Sequence, residues 1–223
     1  MHPIQTLVLA SISMLLIVVP VRADGSDAPR RVLLCADVAM GLDCTNAFDS
    51  PPSAADPDDA WALAWALNHP GWDVVGVVVS FGNCACETPP TTCDAPAPEP
   101  GQVPCEILDR KVEITRWVVE ACGRETPVYR GASRRFAVDG PAPDGTLEAL
   151  ESVLADPEPV TIVGMGPATD PAYLIRDLAM LGRLDRVERL VLEMGQIGPW
   201  AGQAGFTING KSVNDYNFRC DPD

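Results

Sequence analysis

Basic side chains are scarce: 16 Lys and Arg stand against 31 Asp and Glu, for a formal net charge of −15. That deficit disfavours a nucleic-acid polymer as partner, because such binding draws on clustered Lys and Arg. Histidine is nearly absent too. Beyond His2 the only copy is His69, in Asn68-His69-Pro70. At the end of an expected helix it suits packing or capping better than acid–base chemistry. After residue 19 no apolar run is long enough to cross a bilayer. The chain shows no internal repeat and no sign of a second domain. Apolar residues, at 47% of 223, are plentiful enough for one sizeable core.

The amino terminus reads as a leader. Leu7 to Val19 (LVLASISMLLIVV) is followed by Val21-Arg22-Ala23, with small or modest residues where a signal peptidase cuts. Residues 1–23 are therefore expected to be a secretory signal peptide and 24–223 the mature domain; an uncleaved anchor is the alternative. The expected location is secreted or periplasmic, with no stable membrane span after cleavage. Export permits disulfides. All eight Cys follow the leader, and four of them (84, 86, 93 and 105) fall in one Pro-rich stretch. Their spacing is not the paired C-x-x-C of zinc sites, so disulfides stapling a surface insertion are expected, with connectivity open.

Strand-like and helix-like segments alternate. Val32–Ala36, Val74–Ser80, Pro127–Arg130, Val160–Val163 and Leu190–Leu192 read as strands. Asp58–Asn68, Ile107–Cys122, Leu147–Ala155 and Pro171–Leu181 read as helices. The alternation predicts an α/β domain with an open, mostly parallel sheet and helices on both faces. Apolar runs that do not alternate suit strands covered on both sides. Two stretches break the rhythm, near 39–55 and 84–104. Both follow a strand and are expected to be loops inserted at the sheet's carboxyl edge, where such folds bind ligands.

Candidate chemistry gathers at that edge. Asp37 directly follows the first strand. Asp56-Pro57-Asp58-Asp59 precedes AWALAWAL, with Asp56 expected as N-cap and Pro57 as the first helical residue. Acids at a helix start need no ligand, since they complement its positive end. A strand end and the next helix start lie close in this architecture, however. Carboxylates crowded there repel unless some are protonated or a cation joins them. Hard oxygen ligands suit calcium or magnesium rather than zinc. Phe81-Gly82-Asn83 follows the second strand and Gly164-Met165-Gly166-Pro167 the fourth. Each is either an ordinary tight turn or a presenter of an amide or carbonyl. Asn209 to Asp223 holds amides and carboxylates suited to sugar hydroxyls, or to a solvated loop.

In this order the segments resemble the nucleoside hydrolase family (inosine/uridine-preferring type). Its D-x-D-P-G-x-D-D opening is matched by Asp37 and, after an insertion, Asp58-Asp59-Ala60-Trp61-Ala62-Leu63. Its Gly-Asn turn is matched by Gly82-Asn83, and its P-V-x-x-G-A motif by Pro127-Val128-Tyr129-Arg130-Gly131-Ala132. Gly166-Pro167-Ala168-Thr169-Asp170, Met194-Gly195 and Asp215-Tyr216-Asn217 to Asp221-Pro222 are similar to its later motifs. The resemblance spans about residues 31 to 223. It implies a Rossmann-like core and calcium-dependent hydrolysis of the N-glycosidic bond of ribonucleosides, as in purine and pyrimidine salvage.

Asp37 would be general base and metal ligand, with Asp59 and the Met165 carbonyl completing the Ca2+ contacts. Asp58, Asn83, Met194, Asn209, Asp215 and Asn217 would hold the ribose of a small-molecule nucleoside. Family members commonly associate, so a homo-oligomer is expected. Cys35 stands where the family usually has its first aspartate, Asp215 where glutamate is common, and Asp170 where asparagine is usual. The family's later region, with a further calcium-binding aspartate, is expected beyond Asp223, so the domain reads as incomplete at the C-terminus. The alternatives are a secreted, non-catalytic ribose- or nucleoside-binding module, or an inactive remnant of the same fold.

Overall fold

The structure is a computed structural model that describes residues 28–40, 43–44, 53–54, 57–82, 106–134, 136–193, 206–208 and 211–213. Its centre is a five-stranded sheet of β1 (Arg30–Ala36), β4 (Trp72–Val79), β5 (Val128–Arg130), β6 (Val160–Gly164) and β7 (Val187–Leu192). The spatial order is β5-β4-β1-β6-β7 and every neighbouring pair is parallel. Between the strands run α1 (Asp58–Asn68), α2 (Glu106–Ala121), α3 (Asp144–Ala155) and α4 (Thr169–Met180). The expected fold class is thus the observed one.

Period-two geometry divides the core into two layers. Val32, Leu34 and Ala36 of β1 pack with Leu63, Leu67, Leu108 and Val112 of α1 and α2. Leu33 and Cys35 face the other way, against Ala149, Leu150 and Val153 of α3 and Leu174 and Leu178 of α4. A strand covered on both faces is apolar throughout, which explains the unbroken runs in β1 and β4. Each fully buried Leu or Val contributes about 1.5–3 kcal/mol through removal from water, so these two layers dominate the fold's stability.

The topology matters for function. From β1 the chain moves outward through α1 to β4 and through α2 to β5. It then returns across the sheet to β6, on the other side of β1, and goes on to β7. The connections leaving β1 and β6 therefore diverge, which opens a crevice at the carboxyl ends of those two strands.

Several local expectations need correction. The cap of α1 is Pro57, and the helix begins at Asp58, one residue later than a cap at Asp56 implies. Helix α3 begins at Asp144, three residues before the expected Leu147, with Pro143 as its extended cap. Within the stretch near 39–55, expected as loop, β2 (Asp43–Cys44) pairs antiparallel with β3 (Ser53–Ala54). A second small ribbon pairs β8 (Phe206–Ile208) with β9 (Lys211–Val213). Cys35 and Cys122 are free thiols. The leader and the Cys84–Cys105 stretch lie outside the described residues. Among the described residues no helix is long and apolar enough to cross a membrane.

His69 is the C-cap of α1. Its Nδ1 accepts the Gly71 N–H at 3.1 Å, and its ring lies 4.7 Å from Trp65 and 5.7 Å from Trp72. The expected packing and capping role is the one it has.

Candidate active site

Three turns meet at the crevice. Past the end of β1, the Ala36 carbonyl still accepts the Ser80 N–H at 2.9 Å, which brings in the turn after β4. The Cys35 carbonyl accepts the Met165 N–H at 2.8 Å, which brings in the turn after β6. Between them stands Asp37, only 4% exposed.

Two glycines let the turns close on this carboxylate. A Cβ at Gly82, where φ is +81°, would lie 2.3 Å from Asp37 Oδ2 and 2.7 Å from Pro167. One at Gly166 would lie 3.0–3.1 Å from the Asp37 Cβ, Cγ and N. Any side chain at either position would displace Asp37, so the tight turns of the sequence have a steric reason here.

Helix α1 supplies the second acid. Asp59, 3% exposed, accepts the Asp37 backbone N–H through Oδ2 at 2.7 Å. Asp58 beside it accepts the Asp59 N–H through Oδ1 at 2.8 Å. Burial, chiefly, and then the neighbouring Asp59 carboxylate hold the Asp37 pKa well above the usual carboxylate range. The Lys111 ammonium works in the opposite direction, and Asp58 adds a smaller upward push. Two buried acids in contact are a pair that a proton or a cation must bridge.

The expectations can be placed one by one. Asp37 and Asp59 are in direct contact, and Asp58 adjoins them. Met165 is anchored through its own N–H to β1, and its side chain packs on the apolar layer under α1 and α2. Asn83, Met194, Asn209, Asp215 and Asn217 lie outside the described residues. Among the described residues no group of three or more His, Cys, Asp or Glu side chains gathers as a metal cluster. The donor set is a carboxylate pair with a backbone turn beside it. Its chemistry fits a hard cation, since the pair is buried and its members raise each other's cost of ionisation.

Two residues of this region were not anticipated. Lys111 of α2 is fully buried, and its Nζ donates to the Phe81 carbonyl at 3.2 Å and to the Gly82 carbonyl. Desolvation pushes its pKa down to about 8 against the upward pull of Asp37 and Asp59. The sequence does hold a sign of it: Leu108, Val112, Thr115 and Val119 form the buried stripe of α2, and Lys111 lies on that stripe. The second is Asp170, fully buried in the first turn of α4. It accepts the Ala132 N–H at 3.0 and 3.2 Å and the Thr146 hydroxyl at 2.5 Å. Cys35, where the related pattern has an acid, is a buried thiol in the opposite layer. Burial first and Asp170 second push its pKa up, so it stays protonated.

The open parallel sheet is that of the nucleoside hydrolase fold, as solved structures show. The inosine-uridine preferring nucleoside hydrolase of Bacillus anthracis superposes with a TM-score of 0.53 at 16% identity, over 86% of this chain and 59% of that one. The plant nucleoside hydrolase PpNRh1 gives 0.52 at 18% identity, over 87% and 54%. No protein-family model matches the chain.

Curated relatives carry the sequence relationship. The pyrimidine-specific ribonucleoside hydrolase RihA of Shewanella sp. (strain MR-4) is 31% identical over 165 residues, 68% of this chain and 48% of the relative. Its namesake in Salmonella newport (strain SL254) is 29% identical over 174 residues, 72% and 52%. The chain spans about half the length of the curated relatives it matches. These relatives and the shared fold support a nucleoside hydrolase-like family over the part that this chain spans.

Proposed function

We propose that this protein hydrolyses the N-glycosidic bond of ribonucleosides with the help of calcium, releasing base and ribose. The observation that carries the reading is the buried Asp37–Asp59 contact at the crevice between β1 and β6. Breaking such a bond develops positive charge on the ribose ring, and a carboxylate-lined crevice stabilises that charge.

Asp37, Asp59 and the Met165 carbonyl would hold the calcium. When bound, the ion supplies Lewis-acid polarisation of a water. Asp37 is the base that takes the proton, since its carboxylate would stand beside the ion and the water together. Asp58, at the open end of α1, holds the ribose together with Asn83, Met194, Asn209, Asp215 and Asn217. Two-point gripping of the sugar hydroxyls fixes the anomeric carbon near the water. Export behind the leader at 1–23, and association into oligomers, belong to the same proposal.

The test uses the full-length protein with pyrimidine and purine ribonucleosides, measuring ribose release. Asp37→Asn is expected to lower kcat by about 100-fold or more while far-UV circular dichroism stays unchanged. A calcium chelator is expected to abolish turnover, and added calcium to restore it. Turnover that survives Asp37→Asn or excess chelator sinks the reading. Tight nucleoside binding by a wild-type protein that releases no ribose would favour a binding module instead.

A further inference from the structure

Lys111 supports an inference that rests on the cation-binding reading of Asp37 and Asp59 and goes beyond it. An ammonium buried in an apolar helix face is costly unless it is paired and hydrogen-bonded. Lys111 meets the hydrogen-bonding part of that demand at the turn after β4, and the charges of Asp37 and Asp59 act on it from beyond the turn. Its Nζ donates to the carbonyls of Phe81 and Gly82. The α-carbon of the same Gly82 abuts the Asp37 carboxylate so closely that no Cβ fits between them. Asp59 in turn accepts the Asp37 N–H. The sequence of contacts is therefore ammonium, glycine turn, first carboxylate, second carboxylate, drawn from α2, the β4 turn, the end of β1 and the start of α1. The Lys111 charge acts on Asp37, and both carboxylates act on Lys111.

We propose that Lys111 is a positioning residue: a built-in counter-ion that holds the Phe81–Gly82 turn against Asp37, keeps the Asp37–Asp59 pair buried and in place in the metal-free protein, and weakens that pair's grip on a divalent cation. The physical reason is charge arithmetic at short range. Two ionised carboxylates alone offer a dication a site of charge −2, whereas with the ammonium beside them the net charge is −1. In a site shielded from water that difference is poorly screened. The site is thereby pre-shaped before any cation arrives, and its cation is held less tightly and exchanged more readily.

The test uses the full-length protein and calcium itself. Lys111→Gln removes the charge but keeps a donor for the turn; Lys111→Arg keeps the charge. Titration calorimetry gives the calcium Kd, and thermal midpoints are taken in chelator and in saturating calcium. Lys111→Gln is expected to bind calcium about tenfold more tightly, on the scale of a one-charge change in a partly desolvated site. Its metal-free midpoint is expected to fall, so that its calcium-induced rise exceeds that of the wild type. Lys111→Arg is expected to stay near the wild type in both.

A folded Lys111→Gln protein that binds calcium no more tightly than the wild type overturns the inference. Should Lys111→Gln fail to fold, Asp59→Asn in the presence of Lys111 decides. A counter-ion losing a partner lowers the metal-free midpoint, whereas mere relief of carboxylate repulsion raises it and overturns the proposal. No calcium binding by wild type or Lys111→Gln sinks the cation reading of the site. The counter-ion role then stands or falls on the Asp59→Asn midpoint.

Discussion

Asp37 and Asp170 are both buried acids at the carboxyl end of the same sheet, one served by α1 and α2 and the other by α3 and α4. Their surroundings are opposite. Asp170 is met by donors: the Ala132 N–H and the Thr146 hydroxyl, from the turn after β5 and the start of α3. Asp37 is met by other acids, Asp59 and Asp58, and by one lysine. Donors stabilise an ionised carboxylate in place, so Asp170 acts as a staple joining three segments. Neighbouring acids destabilise it and leave a pair ready to accept a cation or a proton. Burial of a carboxylate does not by itself mark a site; the sign of what surrounds it does.

The largest effect that can break this comparison comes from removing each acid in turn and measuring urea unfolding of the metal-free protein. Asp170→Ala leaves the Ala132 N–H and the Thr146 hydroxyl without their acceptor in the core. It is expected to cost about 3–5 kcal/mol, as loss of one partner from a buried charged network does. Asp37→Asn relieves a repulsion with Asp59 but takes one partner from Lys111, so it is expected to cost clearly less than Asp170→Ala. If both substitutions destabilise by similar amounts, the two acids are the same kind of structural group and the distinction fails.

A smaller effect tests whether the staple is its hydrogen bonds or its volume. Thr146→Val keeps the shape of a buried, β-branched side chain and deletes the donor to Asp170. A hydrogen bond to a charged group is worth about 1.5–3 kcal/mol, and a loss in that range is expected, with Thr146→Ser restoring most of it. A loss near zero in the same unfolding assay would assign the stability of this corner to packing.

The two centres were not equally legible in the sequence. Asp37, Asp58 and Asp59 stood out because each is polar beside an apolar run, at a strand end or a helix start, and strand ends and helix starts meet in a βα unit. The alternation of runs carried the sheet for the same reason: strands buried on both faces cannot afford polar residues. Asp170 showed only as a motif position where asparagine is usual, since its partners Ala132 and Thr146 lie 38 and 24 residues earlier. Lys111 finds its carbonyls 29 and 30 residues upstream. Long-range pairing of this kind has no period in the chain. The displaced cap of α1 is a local matter: Pro57 already supplies a helix-compatible φ of −87° in the cap position, and the acid after it turns its carboxylate to the Asp59 N–H.

Asp58 offers the smallest change in stability and a sharp separation of roles. Its structural work is that of an acid at a helix N-terminus, half-buried, accepting one backbone N–H. Such a group contributes about 0.3–1 kcal/mol, so Asp58→Ala is expected to lower the unfolding free energy by no more than about 1 kcal/mol. Its proposed functional work is to accept a ribose hydroxyl, an interaction worth about 1.5–3 kcal/mol when the acceptor is charged. In the full-length protein the same substitution is therefore expected to raise the nucleoside KM by about 10- to 100-fold. The two readouts answer to different causes. A stability loss as large as that of Asp170→Ala would move Asp58 into the structural group. An unchanged KM with the fold intact would remove it from the ribose site and leave Asp37 and Asp59 as the whole acidic contribution of α1 and β1 to the chemistry.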